Sequence, residues 1–334
     1  MKISILMSIG AQNLGDELIL KNEIKLLEKK YGKDTQFIVF SYDYKNPFYK
    51  TINVKYKEYF PINIKNPKNL FRNIKNYFVF IREVISSRKI IIGGGGIIYD
   101  NEVQSVKNPL LQWLFRVNIA SLFRKDIIFW AVGINIKNNK NLKFIEKIFK
   151  KAKKIYVRDE FSHNLLKKLD IKSEIIWDPV FYDNNFKLTS KSSLVNKFQA
   201  SNFNLEDIKK SDYNFKNKKV GIALRSKYIN NEIIEIEKII EYLLEKKAEI
   251  ICIPHSFHNS DKLANDYVFL KYFSDKYNLK ITKNMQESYE IYLNNEIDIN
   301  FAMRLHSIIL SHVYEIDYIA ISYSKKTDEI TKKL

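Results

Sequence analysis

The sequence predicts an α/β protein with parallel sheets covered by helices on both faces, organised as two domains. Short runs of β-branched and aromatic residues alternate with amphipathic segments from one end of the chain to the other, which is the order that βαβ units impose. A chain of 334 residues exceeds what one core usually serves, and about 150 residues is an ordinary domain. The alternation lapses once, from Val180 to Asn217, in a stretch rich in Ser, Asn and Lys. That stretch reads as a linker with an irregular or partly helical insertion. The expected division is therefore 1–180, 181–217 and 218–334.

In the first domain, Lys2 to Met7 reads as a strand, followed by the polar loop Ser8 to Glu17 and a helix to about Lys30 with Leu20, Ile24 and Leu27 on one face. Gln36–Ser41 and Thr51–Tyr56 read as strands and Asn69–Ile85 as a helix. Lys89–Ile92 is a strand running into Gly93–Gly96, where four of the nine glycines of the chain are clustered. Glycine admits positive φ and the close approach of a ligand or a second backbone. A tight strand-to-helix turn explains the cluster equally well. A helix over Pro109–Phe123, a strand over Asp126–Val132, a lysine-rich helix and the strand Ile155–Val157 follow. Asp159 is placed to cap the next helix, and Glu174–Trp177 is a strand ending at Asp178-Pro179.

The second domain restarts with the strand Lys219–Leu224, which ends at Arg225. A helix over Glu232–Lys246, the strand Ile250–Ile253 with Pro254-His255-Ser256 at its end, and a helix from Asp261 to about Phe273 come next. Leu279–Thr282, a short helix from Gln286, the strand Ile297–Phe301, a helix over Ser307–Tyr314 and the strand Tyr318–Ser322 complete it.

Composition narrows the class. With 46% hydrophobic residues, including 22 Phe and 21 Tyr, the chain can fill folded cores. No apolar run approaches the length of a membrane span, and the amino-terminal residues read as a strand, so a cytoplasmic location is expected. The single cysteine, Cys252, lies within an apolar run and reads as a buried thiol. The formal charge of +18 is spread over the chain. Nucleic acid is not an expected partner, because neither stacking motifs nor zinc spacing accompanies the charge. Attraction to an anionic inner membrane leaflet, as a peripheral association, or to a lipid-linked phosphate, fits better.

The chemistry concentrates at strand ends. Arg225, His255, and Arg304 with His306 lie at the carboxyl ends of three separate strands in the second domain, where open α/β sheets bind ligands. Arg304 offers a fork for a carboxylate or phosphate. His306 can move a proton near neutral pH, and the adjoining helix start has unpaired N–H groups. An arginine paired with a surface carboxylate and a histidine satisfied in the core is the plain alternative for an isolated Arg-x-His. Together the four residues suit a small, doubly anionic ligand. In the first domain Asn13, Gly15, Asp16, Gly94, Gly95, Arg158 and Asp178 also fall at or near strand ends, which leads to the expectation of a central cleft with one wall on each domain. Asp16 is the best-placed carboxylate for a general base. His163 and His312 read as surface or core histidines, His258 fits the scheme poorly, and no metal-ligand spacing is present.

In their order along the chain these landmarks resemble the polysaccharide pyruvyl transferase family. The resemblance rests on Gly10-x-x-Asn13-x-Gly15-Asp16-Glu17, Gly93–Gly96, Val157-Arg158-Asp159-x-x-Ser162, Asp178-Pro179 and Arg304-Leu305-His306-Ser307. It implies two Rossmann-like domains arranged as in GT-B glycosyltransferases. It also implies transfer of an enolpyruvyl unit from phosphoenolpyruvate to two hydroxyls of a sugar, on a polysaccharide or a lipid-linked precursor, giving a pyruvate ketal. On this reading phosphoenolpyruvate is a co-substrate and neither a cofactor nor a metal is needed. Arg225, Arg304 and His306, with Leu305 and Ser307, would hold the donor. His306 or His255 would protonate its methylene carbon, and Asp16 would take a hydroxyl proton. Beyond Tyr323 the family continues through a lysine-bearing loop and a helix, where this chain has Ser324–Leu334; Lys325 or Lys326 is the candidate phosphate contact there.

Two other readings share the architecture. A nucleotide-sugar glycosyltransferase would also use an arginine and a helix start, but it wants a Glu at a strand end of the second domain to grip a ribose, and only Glu287 and Glu296 are near. The other is a non-catalytic protein that binds an anion or a glycan.

Overall fold

The computed structural model describes residues 1–60, 66–100, 109–185, 197–200, 204–225, 233–258, 264–321 and 334. The chain separates into two units, one formed by Met1–Ala11 and Asp16–Pro179, the other by Gln12–Gly15 and Val180–Leu334.

Unit 1 contains the strands β1 (Lys2–Leu6), β2 (Gln36–Ser41), β3 (Val54–Glu58), β4 (Lys89–Ile92), β5 (Gly95–Tyr99), β6 (Asp126–Asn135), β7 (Lys154–Val157) and β8 (Glu174–Ile175). They form one parallel sheet in the order β3-β2-β1-β4-β6-β7-β8, with β5 pairing to β6. Helices α1 (Leu14–Tyr31), α2 (Leu70–Ser86), α3 (Pro109–Leu122), α4 (Leu142–Phe149) and α5 (Glu160–Lys168) connect them. The central strands β1, β2, β4 and β6 are largely apolar, as both-sided burial requires, and Ile90, Ile92, Phe129 and Val157 meet Phe80, Val117 and Ile145 in the core. Asp159 caps α5 by accepting from the Ser162 N–H at 2.7 Å, as the sequence indicated.

Unit 2 holds β9 (Lys197–Ala200), β10 (Lys219–Ala223), β11 (Glu249–Cys252), β12 (Lys280–Ile281), β13 (Ile299–Ala302) and β14 (Asp317–Ile321), parallel in the order β12-β11-β10-β13-β14-β9. Its helices are α6 (Leu205–Lys210), α7 (Ile233–Glu245), α8 (Asp266–Tyr277), α9 (Met285–Leu293) and α10 (Leu305–Val313). The stretch read as a linker thus carries two elements of unit 2, an edge strand against β14 and a short helix. Helix α8 starts at Asp266, with Asn265 accepting from the Val268 N–H, later than the expected Asp261, which lies outside the described residues.

Both sheets reverse their winding once. In unit 2 the chain runs outward from β10 through β11 to β12, then returns to build β13 and β14 on the other side. The junction of β10 and β13 is a topological switch point, where the connections after adjacent strands diverge and leave a crevice at the carboxyl ends. In unit 1 the same reversal lies between β1 and β4.

Candidate functional site: the strand ends of unit 2

Register brings the second-domain candidates together. Strand β10 lies between β11 and β13, with Ile222 opposite Cys252 and Ala223 opposite Ala302. Arg225, His255 and Arg304 leave the sheet two or three residues beyond these pairs, so they emerge on one edge. The Met303 N–H donates to the Ala223 carbonyl at 3.1 Å, and the Arg225 N–H points to the Met303 sulfur at 3.4 Å.

Arg304 is held by a carboxylate that was not among the expected site residues. Its Nε donates to Asp266 Oδ2 at 2.8 Å and its Nη2 to Asp266 Oδ1 at 2.5 Å. Asp266 is fully buried, and Arg304 is 9% exposed. Burial pushes the Asp266 carboxyl upward, while Arg304, Arg225 and the His255 N–H pull it the other way. The pairing matches half of the plain alternative for Arg304, except that the carboxylate is buried and is also influenced by Arg225. The signal that could have found it is Asn265-Asp266, a cap followed by a first-turn acid.

His255 is 1% exposed, and its Nε2 lies 2.9 Å from the Tyr292 hydroxyl. That hydroxyl also accepts from Asn300 Nδ2 at 3.2 Å, and which of the pair donates between Tyr292 and Nε2 follows the imidazole tautomer. Burial, with Arg304 and His306 nearby, lowers the His255 pKa well below the ordinary histidine value. The ring is neutral, and among the described residues Nδ1 has no hydrogen-bond partner. Asn300 continues to Ser311 Oγ at 2.9 Å, Ser311 to the Ser307 carbonyl at 2.8 Å, and Ser307 Oγ to the Arg304 carbonyl at 2.7 Å. This buried chain fixes the start of α10 relative to His255.

Of the residues in α10, His306 alone is not buried. Its ring rests against Gly15: a Cβ there would overlap the imidazole. The segment Gln12–Gly15 is tied to the same strand end. Leu14 N–H donates to the His255 carbonyl at 2.8 Å, Phe257 N–H to the Gln12 carbonyl at 2.9 Å, and Asn13 forms an antiparallel bridge with Ser256. Asn13 and Gly15, assigned to the first domain from sequence, are thus part of unit 2. Leu305 and Ser307 are buried, and Ser307 serves the turn through its hydroxyl rather than facing solvent. Lys326 lies outside the described residues.

The unit 1 candidates divide differently. Arg158 Nη1 is bonded to Asp178 Oδ2 at 2.8 Å, with the two side chains 7% and 0% exposed. Two residues read separately as rim groups are one buried ion pair. Gly95 has φ of 96°, a conformation for glycine. At Gly94 a Cβ would come within 2.8 Å of Ile19, and at Gly93 within 2.6 Å of the Glu23 carboxylate. The glycine run therefore lets α1 sit against the sheet and leads into strand β5, where the plain reading expected a tight strand-to-helix turn. Glu23 is fully buried and receives the Gly94 N–H at 3.4 Å; burial drives its pKa up to about 8. Glu17, which accepts from the Gly10 N–H at 2.9 Å, is likewise pushed up to about 7 by burial. Asp16 is half-buried in the first turn of α1, on the side of Gly95.

The remaining histidines have local explanations. His163 Nδ1 lies 3.0 Å from Ser173 Oγ, and His312 is buried with its ring edge-on to Tyr318. Burial pushes the Cys252 thiol up to about 12, so it is an inert core group.

Fold and strand-end residues together define a protein of two Rossmann-like units, of the GT-B type, with two arginines and two histidines gathered at the switch point of the second sheet. A family model described as polysaccharide pyruvyl transferase matches residues 13–325, and the chain belongs to that family. No curated protein sequence matches it. Among solved structures it is similar to UDP-GlcNAc 2-epimerase from Methanocaldococcus jannaschii, at 12% identity over 99% of this chain and 86% of that one, with a TM-score of 0.53. It is also similar to HepE from Anabaena in complex with UDP, at 12% identity over 99% and 88%, with a TM-score of 0.50. At these identities the likeness is one of fold.

Proposed function

We propose that this protein transfers the enolpyruvyl unit of phosphoenolpyruvate to two hydroxyls of a sugar on a cell-surface polysaccharide or its lipid-linked precursor, forming a pyruvate ketal. The observation that carries this reading is the pairing of the half-exposed His306 with the Asp266-held Arg304 and the neutral His255, in a chain of this family. A three-carbon phosphate ester has two anionic ends. Arg225 and Arg304 supply cations, His255 supplies a neutral imidazole, and the start of α10 supplies backbone dipole. Lys326 is the further phosphate contact proposed from sequence.

His306 is the proton donor of the two histidines, because burial keeps His255 from carrying the proton to be given. In the reaction His306 delivers a proton to the methylene carbon, which becomes the methyl group. The central carbon, left with oxocarbenium character, is attacked by one sugar oxygen and then by the second as the carbon–oxygen bond to phosphate breaks. Two hydroxyl protons are released. One balances the proton gained by carbon, and the other leaves on phosphate. Asp16, half-buried in the first turn of α1, is the residue proposed to take a hydroxyl proton, on sequence grounds.

A nucleotide-sugar glycosyltransferase is the second reading, since HepE, of similar fold, binds UDP. Against it, Glu287 closes the cap of α9 by accepting from Lys283 N–H and Asn284 Nδ2, and Glu296 is exposed beside Asn294; neither stands at the β10–β13 rim. Thermal shift with separate ligands tests the choice. Stabilisation by phosphoenolpyruvate and not by UDP supports the transferase, UDP alone supports the glycosyltransferase, and donor binding without any ketal formed on glycans leaves a binding protein.

A further inference from the structure

Helix α2 is turned inside out for a surface helix. Its outward stripe runs Phe71, Ile74, Lys75, Phe78, Arg82 and Ile85, at helical spacing, and Phe71 is 83% and Phe78 64% exposed. Its inward side holds Asn76 and Glu83 beside Phe80 and Val84. Those inward polar groups are satisfied, Asn76 by Glu58 and Glu83 by Lys2 and Arg82, so polarity inside does not explain apolarity outside. Helix α3 lies alongside, with the rings of Tyr77 and Phe115 6.3 Å apart. Leu111 and Phe115, 49% and 39% exposed, extend the same apolar face. A contiguous apolar face of this kind marks an interaction surface.

Charge decides the occupant. From Asn66 to Arg88 the sequence carries five cations, Lys68, Arg72, Lys75, Arg82 and Arg88, against one acid, Glu83. A second copy meeting this face about a two-fold axis would set the same cations against each other. An anionic lipid surface complements both features, since apolar residues interleaved with Lys and Arg along one helix are what lie flat in the headgroup layer. At 17 residues, α2 offers a contact line of about 25 Å. We propose that the outward face of α2, continued by Leu111 and Phe115, docks this protein on a membrane surface rich in anionic lipid. Phe71 and Phe78 enter the headgroup layer, and Lys68 and Lys75 lie on lipid phosphates. The proposal stands independently of the chemistry at the β10–β13 rim.

Co-sedimentation of the full chain with vesicles of phosphatidylcholine, alone or mixed with phosphatidylglycerol, tests it. The expected result is at least about tenfold stronger partition to the mixed vesicles, weakened by added salt. Phe71→Ser with Phe78→Ser, and separately Lys68→Glu with Lys75→Glu, each reduce that partition about tenfold or more while circular dichroism is unchanged. Equal pelleting with both vesicle types overturns the proposal, as does a Phe71/Phe78 variant that binds like the parent. A dimer seen by sedimentation equilibrium that the same variant abolishes, with no vesicle binding, overturns it in favour of contact between copies.

Discussion

Asp266 grips Arg304 side-on, accepting from Nε and Nη2 at 2.8 and 2.5 Å. The arginine at the head of α10 therefore has an orientation fixed before any ligand arrives. An arginine set by a buried carboxylate loses little side-chain entropy on meeting an anion.

Asp266→Asn should weaken this setting. Removing one partner of a buried pair costs roughly 3 kcal/mol or more of stability, and the KM for phosphoenolpyruvate should rise about tenfold while kcat changes less, one decade being about 1.4 kcal/mol. Steady-state kinetics and urea unfolding check the two effects, and Asp266→Glu should recover part of the lost affinity. A variant that is less stable but has unaltered KM makes Asp266 purely structural.

Gly15→Ala places a methyl group where the His306 imidazole lies. The ring must turn away, so turnover should fall about a hundredfold, in the range expected for a displaced general acid. The thermal midpoint should move little, because His306 is half-exposed and can relocate. Parallel assays of rate and melting separate the two.

His255 should remain neutral at pH 6. Burial depresses its pKa, whereas the unfolded chain takes up a proton below about 6.5. Its contribution to stability is therefore present above that value and lost as pH falls beneath it. Nitrogen-15 NMR of the imidazoles reads this directly, and an imidazolium signal from His255 at pH 6 in the native protein contradicts it.

Glu23 gives the opposite slope. Its carboxyl has a folded-state pKa of about 8 against an ordinary value of 4.5, so between those values the native chain binds more protons than the unfolded one. Stability falls as pH rises across that window, and Glu17, pushed up to about 7, adds to the slope. Glu23→Gln should raise the urea midpoint at pH 8, by on the order of 2 kcal/mol in free energy, and change it little at pH 5.

Much of this was legible because apolar periodicity and strand-end placement are local signals. Arg225, His255, Arg304 and His306 are polar side chains that directly follow apolar runs, and parallel register brings their three strand ends to one edge. What escaped required knowledge of partners distant in sequence. Asp266 lies 38 positions from Arg304, and Arg158 and Asp178 looked like two rim groups until their ion pair was seen. Strand β9 was hidden because an edge strand need show no both-sided apolar pattern. Glu23 was invisible for a related reason: a carboxyl within an amphipathic helix reads as solvated, and only the closeness allowed by Gly93 and Gly94 buries it.

The central claim is that the β10–β13 rim handles phosphoenolpyruvate and that His306 gives the proton. Incubating the protein with phosphoenolpyruvate and a cell-surface glycan or its lipid-linked precursor, and following phosphate release together with glycan mass, tests it most directly. The account predicts phosphate release matched by a pyruvate-sized ketal increment, with His306→Ala reducing both by at least about a hundredfold. Full ketal formation by His306→Ala, or turnover of a UDP-sugar with none of phosphoenolpyruvate, would contradict it.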